Sequence, residues 1–121
     1  MNATTSAERV LIRGLDDWVS LAEVVACVRS GTSSASDDDV RKATISVLSE
    51  LLHDDLLRIG DLSPGFVPWE LSGDAAVAFI EKEWKVPPRE LDHAHGWWFE
   101  NTGAGDDAAR SLTREHHTPR S

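Results

Sequence analysis

Between Val40 and Leu52 the apolar positions fall at steps of three and four, with Val40, Ala43, Thr44, Val47, Leu48, Leu51 and Leu52 forming one continuous stripe. That periodicity predicts a helix from Asp37 to His53, and its unbroken stripe puts it at the centre of the core. Ser36 precedes it with Asp39 three residues on, and Asp37, Asp38 and Asp39 lie where a helix dipole favours negative charge. Upstream, "DDWVSLAEVVACVRSG" holds the S-x-x-E capping pattern at Ser20 and Glu23. It predicts a helix from Leu21 to Arg29, closed by Gly31, with Leu21, Val24, Val25 and Val28 on one face and Trp18 and Val19 extended before it. "AERVLIRGL" spaces Val10, Leu11 and Leu15 as a short first helix that Gly14 closes, after a small, polar start expected to fray. A further helix is predicted in "GDAAVAFIEKEWKV", with Ala76, Phe79, Ile80 and Trp84 inward, Ser72 or Asp74 as cap, and Pro87 and Pro88 as the stop.

Two stretches change period. In "LLRIGDL" Leu57 and Ile59 alternate with Arg58 and Gly60, as a strand with one buried face does. "SPGF" then sets Pro64 and Gly65 at the two central positions of a type II turn, and Phe66 to Glu70 is the return strand. Pro68 cannot donate to a ladder, which assigns that strand to an edge. "GWWFENTGAG" reads as a short strand running into a Gly-rich turn, and from Gly103 the chain is expected as a polar, flexible tail, helical at most in part. The expected organisation is one domain over residues 1–102 and a tail over 103–121.

The element order is helix, short strand, helix, long helix, hairpin, helix, strand: an α+β, mostly helical fold. "WVSLAEV" as strand and second helix, and "VLSELLHDDLLRIGDL" as third helix entering a hairpin, resemble a winged-helix domain over about residues 5–71. The last helix and strand are then a C-terminal addition to three helices and a hairpin. Two features depart from that family's pattern. Asp54 and Asp55 stand where winged helices usually place a Gly before the wing, and the connection from Ser30 to Ser36 is long for a helix-turn-helix.

Composition narrows what such a domain does. At 121 residues the chain is long enough for one core without disulfides, and Cys27 is its sole cysteine, which fits a reducing cytoplasm. "MNATTSAERV" has neither a basic n-region nor an apolar h-region, so no signal peptide is expected, and no apolar run approaches a membrane span. Charge is more discriminating: 12 Lys and Arg against 21 Asp and Glu give −9. The resemblance implies a third helix that lies in the DNA major groove and a wing that offers cations to the backbone. Here the third helix opens on three aspartates before Arg41 and Lys42, and the wing offers Arg58 beside Asp61 and Glu70. Phosphate recognition needs a concentrated positive field, and none is visible in this pattern.

Enzyme chemistry finds no nominee. There is no nucleophile elbow or phosphate loop, and nothing pairs Cys27 with a base. His93 and His95 beside Asp92 make an incomplete ligand set, while His116 and His117 fall in the expected tail. No catalytic, cofactor-binding or metal-ligating residue is assigned, and no cofactor is expected.

Five tryptophans with no tyrosine is an unusual aromatic balance for this length. Trp97 and Trp98 are consecutive on an expected strand and must point to opposite faces. Trp69 and Phe66 lie in the return strand of the hairpin. Large aromatics beside acidic rim residues are the composition of a protein-binding hot spot, so Phe66, Trp69, Trp97 and Trp98 are the candidate partner-binding residues. The expected function is a non-enzymatic protein-interaction domain acting on a basic partner, in the manner of an antitoxin, an immunity-type inhibitor or an adaptor. A homodimer is compatible with the same pattern. The alternative is a winged-helix DNA-binding regulator using Arg41, Lys42 and Arg58.

Overall fold

The expected helices begin on the side chains named for them. The hydroxyls of Ser20, Ser36 and Ser72 accept from the backbone N–H of Glu23, Asp39 and Ala75, each satisfying one of the free donors of a first turn. At Ser20 the box is closed by Glu23, whose carboxylate accepts from the Ser20 N–H at 2.9 Å. A second box, Thr5 with Glu8, starts the first helix. The computed structural model describes residues 5–30, 36–62, 65–91 and 97–116. Its elements are α1 (Ser6–Arg13), β1 (Val19–Ser20), α2 (Leu21–Arg29), α3 (Asp37–His53), β2 (Leu57–Leu62), β3 (Phe66–Pro68), α4 (Gly73–Glu83), a 3-10 turn (Pro88–Glu90), β4 (Trp98–Asn101) and α5 (Gly103–His116). The fold is α+β and mostly helical.

The end of α3 shows how the sequence turns without glycine. Asp55 has φ 58°, the left-handed region. The N–H of Leu56 reaches the Leu51 carbonyl at 2.9 Å and that of Asp55 the Leu52 carbonyl at 3.2 Å. These are the two bonds of a Schellman cap, in which the left-handed position is usually Gly. Asp is among the residues that tolerate it best, so an aspartate fills the expected glycine's place.

The sheet is antiparallel throughout, in the order β1-β4-β2-β3. The strand expected as a C-terminal addition is therefore an interior strand, paired with β1 on one side and with β2 on the other. Its register places Phe99 opposite both Val19 and Ile59, and Trp98 opposite both Ser20 and Gly60. β3 lies at the edge, as Pro68 requires: the Trp69 N–H donates to Ile59, so in the alternating ladder the Pro68 nitrogen points outward. The type II turn expected at the hairpin rests on Ser63 and Pro64, which lie outside the described residues, as does Gly31 of the long connection.

The segment expected as a tail is corrected as far as His116: it is the helix α5. Thr102 begins it, its Oγ1 accepting from the Gly105 N–H at 3.0 Å and its carbonyl from the Asp106 N–H at 2.9 Å. Ala109 is fully buried, and a Cβ on Gly105 would stand 2.0 Å from the Leu56 carbonyl oxygen. Small residues, rather than large apolar ones, let this helix sit close to its neighbours α1 and β4. Residues 117–121 of the expected tail lie outside the described residues.

The core lies between the helices and one face of the sheet, with Val10, Leu21, Val24, Leu48, Leu51, Ile80 and Phe99 each at most 1% exposed. α3 is its centre, packed on α1, α2, α4 and β2. No helix among the described residues is long and apolar enough to cross a membrane.

Candidate functional site

Strand alternation divides the candidate aromatics between two sides of the sheet. Trp97 and Trp69 lie on the helix side. Both pack edge-on against Phe79 of α4, with ring centroids 5.4 Å and 5.1 Å apart, a favoured arrangement for aromatic pairs. The Trp69 indole N–H donates to Asp61 at 2.6 Å. These two rings thus close the gap between the hairpin and α4. Trp69 and Trp97 are half-buried, whereas Trp84 is internal, 5% exposed, with its indole N–H on the Val86 carbonyl.

Phe66 and Trp98 lie on the opposite side, by the pairing of Phe66 with Leu62 and of Trp98 with Gly60. There they are joined by Trp18, one position before β1. Trp18 stacks on Phe66 at 6.4 Å and 23°. Its indole N–H donates to Glu100 Oε2 at 3.0 Å, while Arg58 Nε donates to Glu100 Oε1 at 2.8 Å. A carboxylate shared between an indole and a guanidinium thus holds that face in order. Trp18, Leu62, Phe66 and Trp98 are all half-buried. Trp18 is not among the four candidate aromatics, although "DDWVS" contains the signal: alternation from the inward Val19 turns Trp18 outward.

Gly60 makes room for Phe66 against the sheet. A Cβ there would stand 2.8 Å from Phe66 Cζ and 2.3 Å from the Val67 carbonyl oxygen, so Phe66 covers bare backbone.

At one end of this face the chain from Gly14 to Trp18 borders an open cleft of about 450 Å³. Asp16, Asp17, Trp18, Arg58, Glu100 and Asp106 are among its lining residues. Four carboxylates against one guanidinium make it acidic. Asn101, 5% exposed, belongs to the same wall, and its Nδ2 donates to the Leu11 carbonyl at 2.8 Å and to Asp106 at 3.2 Å.

The residues of the DNA-reading alternative are dispersed and engaged. Arg41 donates to the Glu81 carbonyl at 2.9 Å and stacks 5.3 Å from the centroid of Trp84, capping the end of α4. Lys42 pairs with Asp38 one turn earlier, and Arg58 is held by Glu100. The side of α3 that carries Arg41 is turned to α4 instead of outward.

Cys27 is buried, and that burial pushes its thiol upward although Arg13 and Arg9 act in the opposite sense. Glu23 shows the reverse balance. Burial alone would raise it, but hydrogen bonds from Ser20 and Arg13 outweigh burial and hold it below the usual value of 4.5. Among the described residues no group of three or more His, Cys, Asp or Glu is arranged to hold a metal ion. Asp92, His93, His95 and His117 lie outside those residues, and of the His116 side chain nothing is described.

No family model matches the chain, and no curated protein or solved structure does either.

Proposed function

We propose that this protein is a non-enzymatic protein-interaction domain acting on a basic partner, as an antitoxin, an immunity-type inhibitor or an adaptor does. Its frame is winged-helix-like: α1, β1, α2 and α3 followed by the β2–β3 hairpin, with β4 inserted between β1 and the hairpin. The observation that carries the reading is the half-buried aromatic face of Trp18, Phe66 and Trp98. Wide rings left partly in water, beside polar groups that fix their orientation, are typical of interface anchors. A net charge of −9 favours a basic partner through complementary fields.

The same charge works against the DNA-binding alternative. Arg41 and Arg58 are held by contacts within the fold, Lys42 is a surface cation paired with Asp38, and three aspartates stand at the helix end that would face phosphates. The test has two arms. Duplex DNA of generic sequence is titrated at low salt, and no binding is expected. The protein, immobilised, is exposed to host extract beside a Phe66→Ser variant shown to be folded by circular dichroism. A protein retained by the wild type and lost with the variant supports the reading. DNA binding that weakens steeply with added salt would overturn it, as would retention indifferent to Phe66.

A further inference from the structure

The proposed reading leaves open what the partner presents, and the cleft at the end of the aromatic face bears on that. Three of its carboxylates share one deficit. Among the described residues, Asp16, Asp17 and Asp106 have no ion-pair partner; Asp17 accepts its neighbour's backbone N–H and Asp106 the Asn101 amide. Asn101 Oδ1, a buried oxygen lying against Gly14 of the same wall, has no hydrogen-bond donor. An unsatisfied buried oxygen is uncommon in folded proteins. The wall therefore presents carboxylates without cation partners among the described residues, and a positively charged group would complement them.

The molecule itself shows which cation suits the place. Arg58 lays its forked guanidinium on Glu100, and the Trp18 indole N–H takes the other oxygen of the same carboxylate. A planar guanidinium combines several directed N–H donors with a face that stacks on an indole, which an ammonium lacks. The cleft continues directly into the aromatic face, since Trp18, Arg58 and Glu100 belong to both. The β3 edge of the sheet offers a poorer route, because the outward Pro68 has no N–H with which to pair an added strand.

We infer that the open face docks an arginine-bearing segment of a partner protein, with the guanidinium in the cleft of Asp16, Asp17 and Asp106 and an adjoining apolar side chain on Trp18 and Phe66. The occupant is an arginine next to a bulky apolar residue. This rests on the interaction reading and adds the location and chemistry of the contact.

The test is a titration of the isotope-labelled full chain, followed by amide and indole NMR signals. The probe is the peptide N-acetyl-Arg-Leu-Arg-amide, with its citrulline analogue as the uncharged control. Saturable shifts are expected at residues 14–18, at 98–106 and at the Trp18 indole, with at least fivefold weaker binding of the citrulline peptide. The double variant Asp16→Asn, Asp17→Asn is expected to weaken the arginine peptide fivefold or more. Asp106→Asn serves the same purpose where the double variant does not fold. Shifts as large at Asp37–Asp39 as at the cleft would overturn the inference, because they would show general attraction to acidic surface. So would absence of saturation, or unchanged affinity in the variants. A host protein retained equally by wild type and cleft variants, yet lost with Phe66→Ser, overturns the arginine site while the interaction reading stands. Failure of both capture and titration removes both.

Discussion

The two faces of the sheet are built from the same strands and end in different states. On the helix side Val19, Leu57, Ile59 and Phe99 are at most 3% exposed; on the other side Trp18, Phe66 and Trp98 are half-buried and lie beside the Arg58–Glu100 ion pair. The first set is mainly aliphatic and interlocks with α-helices, which is how close-packed interiors form. The second consists of wide rings, with Phe66 over the bare backbone of Gly60 and Trp18 ordered by its indole N–H on a carboxylate. Trp69, Phe79 and Trp97 are half-buried as well, so the contrast lies between the aliphatic centre of the helix side and the partly exposed rings of the other.

Neighbouring residues on β4 give the largest test of that contrast. Phe99→Ala removes a ring with no solvent exposure and is expected to cost about 3–5 kcal/mol. Trp98→Ala, one position away on the open face, is expected to cost about 1–2 kcal/mol despite deleting a larger side chain. Urea unfolding with an unchanged slope measures both. Equal losses would show that the outer rings belong to the core, and the contrast between faces would collapse.

The next effect concerns what keeps the open face flat. Gly60→Ala puts a methyl 2.3 Å from the Val67 carbonyl oxygen and 2.9 Å from Pro68 Cα. Backbone cannot yield as a flexible side chain can, so β3 must move away from β2, at a cost of about 1–3 kcal/mol. Phe66 should leave Trp18 in the process. Loss of the nuclear Overhauser contacts between these rings, with the Phe79 cluster intact, is the expected signature. Retained contacts would mean that Gly60 does not set the geometry of the face.

Much of the fold was legible because its helices carry strong local signals. The bounds of α2 and α3 follow from the capping patterns at Ser20 and Ser36 together with the apolar steps behind them. The place of β4 was not legible, since antiparallel pairing across some forty residues leaves no mark in local periodicity; its pairing of Arg58 with Glu100 appears only in the folded chain. α5 was missed for a different reason. Its inward positions include Gly105, Ala108 and Ala109, and small residues give a weak apolar signal even though close approach is why they are there. Of the four aromatics nominated as partner-binding, Phe66 and Trp98 share the open face, while Trp69 and Trp97 are joined through Phe79. Only alternation for Trp97 and Trp98 was readable beforehand, because it is a property of every strand.

Asp55 makes a smaller change of opposite sign. It holds the left-handed position that leads α3 into β2, the strand shared by both faces. Asp55→Gly relieves the constraint on the backbone and is expected to stabilise the protein by about 0.5–1 kcal/mol. A higher urea midpoint with the two aromatic clusters unaltered would place the turn's strain apart from the faces. A lower midpoint would mean that the Asp55 side chain does more than occupy the position.

The smallest effect lies where the sheet passes into the helix layer, at Ser20, which is both the last residue of β1 and the cap of α2. Glu23 bonds the Ser20 N–H there and pairs with Arg13, a helix-side counterpart of the Glu100–Arg58 pair on the open face. Hydrogen bonds from Ser20 and Arg13 overcome the effect of burial and hold Glu23 below 4.5 in the folded protein. A depressed folded value means that the unfolded chain binds the proton more readily. The contribution is therefore fully present above 4.5 and is lost as pH falls through the lower folded value. Glu23→Gln does not titrate. Its stability, followed by urea midpoint from neutral pH downward, should fall less steeply below pH 4.5 than that of the wild type. Parallel curves would show that Glu23 carries no part of the acid sensitivity, leaving it to other carboxylates.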